Sequence, residues 1–269
     1  TVKPRENGLT MMMDRGLSIN DTKNFIDMCS PHTDIVKLGF GTSAISPHVR
    51  AKIDLYKEAG LMVYIGGTLF EAFIIRGMFK EYKQLLRNWN IEMCEVSDGS
   101  IDILHEDKCK YIKELAKEFK VVSEVGSKDE NKLIAPYKWI ELMEKELSAG
   151  SWKVIAEARE GGNVGIYNKI GDVRSDLIDE ILTKIPNEKI VWEAPRKSQQ
   201  VWFIKLFGSE VNLGNISPKE IIPLECCCDY FVDRVVPYCW RLRSNSGVSD
   251  FLFAFYDQKC CLPAHQVHY

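Results

Sequence analysis

Short apolar runs alternate along the chain with longer stretches whose apolar residues recur every three or four positions. This is the pattern of βαβ units around a parallel sheet buried on both faces. Eight runs predict strands at Leu9–Met13, Asp34–Leu38, Met62–Ile65, Glu92–Val96, Val121–Val125, Lys153–Ala158, Lys189–Ala194 and Glu210–Leu213. Between them lie predicted helices. After the fourth run, Tyr111, Ile112, Leu115, Ala116 and Phe119 fall on one helical face. Eight right-handed crossovers close a parallel sheet into a barrel of about 250 residues, and the chain has 269. The predicted fold class is α/β, a single (β/α)8 TIM-type barrel over residues 1–225, with an open doubly wound sheet as runner-up. No Pro/Gly/Ser-rich linker divides the chain before residue 225.

In such a barrel the loops after the strands build the active site, so the residues that end each run carry the information. Four consecutive runs end on a carboxylate: Glu95, Glu124, Glu157 and Glu193. Burying a glutamate unpaired is costly, so four of them should converge on cations or on one another. Oxygen donors without convergent Cys or His point to Mg²⁺ rather than Zn²⁺, and these four are the expected metal ligands. Read singly, each is also a salt bridge of the barrel rim. The candidate cations are Lys37, Lys128, Arg159, Arg196 and Lys197.

Three glycine-bearing loops, Gly39–Ser43, Gly66–Thr68 and Ser97–Ser100, can present N–H groups and hydroxyls to a phosphate or carboxylate. They make Gly41, Thr42, Ser43, Gly67, Thr68, Ser97 and Asp98 candidate substrate-binding residues, although each loop taken alone is a tight turn. None is a Walker loop or dinucleotide fingerprint, so nucleotide binding is not supported. Asp14 either completes the ring of polar strand endings or caps the next element. His32, His48, His105, His265 and His268 fall in loops or the tail, which argues against a His-based triad.

Charge narrows the partners. The net charge is −3 with scattered basic residues, which speaks against nucleic acid or an anionic membrane. No stretch approaches the roughly 20 apolar residues of a membrane span, and Thr1–Asn7 is too polar for a signal peptide, so the cytoplasm is the expected compartment. Cys29, Cys94 and Cys109 read as thiols of a reducing compartment. Cys226, Cys227, Cys228, Cys239, Cys260 and Cys261 crowd the end, near His265 and His268, at spacings that match no zinc pattern.

Several longer strings carry a resemblance: Lys3-Pro-Arg with Gly8-Leu-Thr, Val36-Lys-Leu-Gly-Phe-Gly-Thr-Ser43, Tyr64-Ile-Gly-Gly-Thr-Leu-Phe-Glu71, Glu95-Val-Ser-Asp-Gly-Ser100, Ser123-Glu-Val-Gly126, Glu157-Ala-Arg-Glu160 and Trp192-Glu-Ala-Pro-Arg-Lys-Ser-Gln-Gln200. In this order they resemble the phosphosulfolactate synthase family, from about residue 3 to Glu225. The resemblance implies a lyase-type, carbon–sulfur bond-forming enzyme that adds sulfite to phosphoenolpyruvate with Mg²⁺, an early step toward coenzyme M in methanogens. It implies small anionic substrates, and it leaves room for a homo-oligomer. It makes Lys128, after Glu-Val-Gly, similar to the family's general acid, with Lys37 and Arg159 as further catalytic groups. Arg196, Lys197 and Gln199 become substrate-binding residues. After Glu225 the family's basic segment of the type Leu-Arg-x-Gly-Leu-Arg is replaced by Cys226-Cys-Cys-Asp-Tyr-Phe, so residues 226–269 form a divergent tail and put the last barrel helix in question. That departure supports a second reading, a catalytically impaired barrel acting as a binding or stress-related protein. A third is another phosphoenolpyruvate or sugar-phosphate enzyme on the same barrel.

Overall fold

The computed structural model describes residues 3–127, 134–158 and 161–228. Its strands are β1 Thr10–Asp14, β2 Ile35–Leu38, β3 Met62–Ile65, β4 Met93–Val96, β5 Lys120–Val125, β6 Lys153–Ala156, β7 Ile190–Glu193 and β8 Leu213–Ile216. The helices are α1 Ile19–Cys29, α2 Val49–Glu58, α3 Gly67–Ile74, α4 Phe79–Asn88, α5 His105–Leu115, α6 Pro136–Ala149, α7 Ser175–Leu182, α8 Lys197–Phe207 and α9 Ile221–Glu225. Every strand pairing is parallel, and the order β3-β2-β1-β8-β7-β6-β5-β4 joins the first strand to the last. An open doubly wound sheet does not pair its first and last strands, so the runner-up is excluded and the (β/α)8 barrel stands.

Seven of the predicted strands lie where the apolar runs put them, to within a few residues. The eighth is displaced. Glu210 belongs to a 3₁₀ turn, Gly208–Glu210, and β8 runs from Leu213 to Ile216. The reason is a bulge: β1 advances from Thr10 to Met12 while β8 advances from Leu213 to Ile216, so β8 carries one extra residue. Gly214-Asn215 interrupts the apolar run of this strand, so the sequence signal settles on the segment before it.

Two apolar layers hold the barrel. Outside, the helices cover a large core that includes Val36, Ile65, Cys94, Val121, Ala156 and Trp192. Inside, Leu9, Met11, Ile35, Tyr64, Met93, Val122, Ile155 and Val191 fill the lumen. The expected stripe of α5 is present, with Ile112 and Leu115 fully buried. Helix starts follow local chemistry: Ser18 caps α1 in a reciprocal box with Asp21, and Pro136 opens α6. Cys29 and Cys94 are buried free thiols and Cys109 is half-buried. Cys226–Cys228 prolong α9 by a wider helical turn. No helix among the described residues is long and apolar enough to cross a membrane.

Candidate active site

Strand alternation lifts the chemistry out of the inner core. Side chains two residues apart on a strand face the same way, so the residues two positions after Ile35, Met93, Val122, Ile155 and Val191 are Lys37, Glu95, Glu124, Glu157 and Glu193. Each sits one layer nearer the carboxyl end, on top of an apolar floor. Together with Met13, Phe40, Gly66, Gly67, Thr68, Ser100, Gly161, Asn163 and Asn215, these five line a cavity of about 580 Å³ at that end.

Lys37 stands at its centre. Its Nζ lies 2.9 Å from Glu95 Oε2, 3.3 Å from Glu193 Oε1 and 3.6 Å from Glu124 Oε2, and its side chain is only 7% exposed. Burial works to strip the ammonium of its proton, but the carboxylates, Glu95 foremost, outweigh it and raise the Lys37 pKa well above the ordinary lysine value. Lys37 is therefore a fixed positive charge. Glu193 responds the other way: burial pushes its carboxyl up to about 7 against the pull of Lys37, with Glu124 and Glu95 adding to the rise. Tyr64, the register partner of Lys37 on β3, is fully buried and donates its hydroxyl to Met11 Sδ at 2.7 Å. Burial, and then Glu95, hold that phenol well above its usual range.

The four glutamates divide into two roles. Glu95 Oε1 accepts the Gly67 backbone N–H at 2.6 Å while its other oxygen meets Lys37. Glu124, Glu157 and Glu193 instead bring one oxygen each to within 4.8 Å of one another, all three buried. Three hard oxygen donors, close together and open to a cavity with room for water, suit Mg²⁺, which takes one to three carboxylates and fills the rest of its shell with water or substrate oxygens. Glu193 also accepts the Ala158 N–H at 3.0 Å, which fixes its head. Two glycines make this crowding feasible. A Cβ at Gly67 would overlap Ser97 Oγ, and one at Gly126, whose φ is +140°, would overlap Glu157 Cβ.

A profile of the family described as (2R)-phospho-3-sulfolactate synthase (ComA) matches residues 1–229. The chain is 40% identical over 229 residues to the phosphosulfolactate synthase of Methanothermobacter thermautotrophicus, covering 83% of this chain and 89% of that one. It is 36% identical over 228 residues to the phosphosulfolactate synthase of Bacillus subtilis, covering 84% and 90%. The chain belongs to the phosphosulfolactate synthase family. Among solved structures, thiamine phosphate pyrophosphorylase from Pyrococcus furiosus shares the fold, with a TM-score of 0.52 at 11% identity over 84% of this chain and 98% of that one.

The family motifs of this phosphosulfolactate synthase relative fall at different distances from the cavity. Gly67 and Thr68 line it. Gly41 holds a left-handed turn with φ +64° before the 3₁₀ turn Thr42–Ala44, where the Thr42 hydroxyl donates to the Gly39 carbonyl at 2.7 Å and Ser43 is buried. Ser97 donates to Glu71 Oε1 at 2.5 Å. Asp98 accepts from Lys108 Nζ at 2.8 Å, so its charge is matched from α5. Gln199 is buried and occupied: its amide donates to the carbonyls of Gly162 and Gly171 at 2.9 and 3.0 Å and pins the loop after β6. Arg196 and Lys197 are exposed, with Arg196 donating to the Ile170 carbonyl at 2.8 Å. Lys128 and Arg159 lie outside the described residues.

Asp14 resolves as a structural group. One oxygen accepts the N–H groups of Gly16 and Leu17 at 2.7 and 2.8 Å, and the other meets Lys52 at 2.5 Å and Tyr56 at 2.9 Å. Sequence reasoning missed Tyr64, Asn163 and Asn215. Tyr64 carried a usable signal, since it pairs in register with Lys37; Asn215 did not, because the bulge defeats alternation there. Lys108, also missed, is a buried lysine on α5 that reaches Glu146 Oε1 at 2.7 Å and the Glu124 carbonyl at 2.6 Å. It ties α5 and α6 to the strand that carries Glu124.

Proposed function

We propose that the chain catalyses the Mg²⁺-dependent addition of sulfite to phosphoenolpyruvate, giving phosphosulfolactate. What supports this most is the convergence of Glu124, Glu157 and Glu193 beside Lys37 at the mouth of a barrel of this family. The sulfur lone pair of sulfite attacks the methylene carbon and forms the carbon–sulfur bond. The π electrons of the double bond move toward the carboxylate, and a proton then joins the carbon that bears the phosphate. When bound by the three glutamates, Mg²⁺ supplies electrostatic stabilisation for the charge that gathers on the carboxylate oxygens.

The chain's own residues do the rest. Lys37, kept charged by its carboxylates, adds a fixed cation in a site shielded from bulk water, where such a charge acts most strongly. Glu95, bound to Lys37 and to the Gly67 N–H, keeps that cation in place. Lys128, which follows Glu124-Val-Gly in the sequence, is the proposed general acid, with Arg159 as a further catalytic cation, and Arg196 and Lys197 are the proposed substrate-binding cations. Substitution of Lys128 tests the assignment. Lys128→Met keeps most of the stem's volume, so the protein should fold while kcat falls by roughly 10²- to 10⁴-fold and KM for phosphoenolpyruvate moves less. A near-normal kcat would exclude Lys128 as the general acid.

A further inference from the structure

Asn215 stands out on β8. It has φ +57°, in the left-handed region that few non-glycine residues adopt, inside a strand. Leu213 and Ile216, three residues apart, both pack in the outer core, which strict alternation forbids. The extra residue of the bulge reconciles them. Between those two outward positions the chain therefore presents two successive residues to the barrel interior. At Gly214 a Cβ would collide with Met11 Cε and stand 3.8 Å from Glu193 Cγ. Asn215 follows and lines the cavity. It is 7% exposed, and its Oδ1 is buried without a hydrogen-bond partner among the described residues.

A bulge beside an active site commonly re-aims a side chain, and strained backbone concentrates where function requires it. A buried carboxamide with an unused oxygen is costly to keep unless a ligand completes it. We propose that Asn215 is a substrate-binding residue whose amide N–H groups donate to an anionic oxygen of the substrate while its buried Oδ1 accepts from a water of the cavity, and that the β8 bulge exists to point it there. The chemistry suits the place. Among the described residues the cavity wall holds Glu95, Glu124, Glu157 and Glu193 against Lys37, so an anion needs donors that leave the metal-binding charge of the carboxylates intact. A neutral amide N–H does that, and the unpartnered Oδ1 accepts from a bound water. The proposal rests on reading this cavity as the site of sulfite addition, and it names one more residue of that site.

The test uses Asn215→Gly and Asn215→Asp. Glycine adopts the left-handed backbone freely, so Asn215→Gly keeps the bulge and should match or exceed the parent in Tm. Its KM for phosphoenolpyruvate or for sulfite should rise on the order of 10- to 100-fold, the loss of one hydrogen bond to a charged group. Whichever KM moves identifies the anion. Asn215→Asp, equal in shape and also at home in this backbone region, should weaken the same anion more by repulsion. Parent-like KM and kcat in Asn215→Gly would overturn the proposal, as would parent-like KM in Asn215→Asp should the glycine variant fail to fold. If the parent protein turns over neither substrate, the functional reading fails by itself. Calorimetric titration with phosphoenolpyruvate and with sulfite then decides Asn215 alone: weaker binding by Asn215→Gly supports it, and equal affinity, or binding of neither anion to the parent, contradicts it.

Discussion

At the scale of single residues, the account turns on how one buried lysine and four buried glutamates are balanced. Lys37 lies within 4 Å of Glu95, Glu193 and Glu124, and removing one partner of a buried ionic group leaves the others uncompensated at a cost of about 3–5 kcal/mol. Lys37→Met should therefore lower Tm sharply at pH 8 and less at pH 5, because carboxyls left without their cation can take up protons in acid. Thermal unfolding across that range checks this, and a pH-independent loss would show that Lys37 serves packing alone. The four glutamates were legible because a parallel strand buried on both faces has almost no tolerance for charge, so each one announced a site. Their division into a lysine partner and a metal trio was not legible. It depends on which oxygen the Gly67 N–H and the Ala158 N–H take up, and that is a matter of loop geometry.

At the scale of elements, the seam between β3 and β4 is where the barrel is least regular. The two strands stand at opposite ends of the hydrogen-bonded order, and side chains join them at the mouth: Gly67 N–H to Glu95, and Ser97 Oγ to Glu71. Gly67→Ala would place a Cβ onto Ser97 Oγ and 2.6 Å from Glu95 Oε1. It should destabilise the protein by about 1–3 kcal/mol and reduce turnover further by shifting Glu95 away from Lys37. Denaturant unfolding alongside a rate measurement checks both effects. At the other end of the barrel, burial, with Lys189 beside it, pushes the ammonium of Lys153 on β6 down to about 8, although it donates to the Glu188 carbonyl and lies over the Trp152 ring. A lysine whose folded-state pKa is lowered is unfavourable to the fold below that value and neutral in its effect above the unfolded one. The Tm of Lys153→Met relative to the parent should be highest near pH 7 and fall as the pH approaches 10. A constant difference would contradict the burial argument. Strand positions came from the sequence wherever an apolar run was continuous, and β8 was displaced because Gly214-Asn215 interrupts its run, which is also why Asn215 was missed. The loop carrying Asp98 looked like a binding loop because glycine and polar residues serve turns and ligands alike, and Gln199 became a binding candidate through the family resemblance; in the fold Gln199, on α8, secures the loop after β6, and Asp98 pairs with Lys108.

At the scale of the whole molecule, a chain with unremarkable composition becomes a specific instrument because eight strands all end at one face. The lumen below that face is filled with apolar side chains, so polar strand endings have nowhere to go but the mouth, where they meet as a cavity. Family membership and this convergence support the same reaction, and one measurement tests it most directly. The protein is incubated with phosphoenolpyruvate and sulfite in deuterated water, with Mg²⁺ or with excess chelator, and followed by proton and phosphorus NMR. The account predicts that with Mg²⁺ the vinyl protons of phosphoenolpyruvate give way to a methylene group attached to sulfonate, with deuterium on the phosphate-bearing carbon, and that chelator or Glu157→Gln stops the conversion. Persistent phosphoenolpyruvate in the presence of Mg²⁺, or conversion undiminished by chelator, would contradict it.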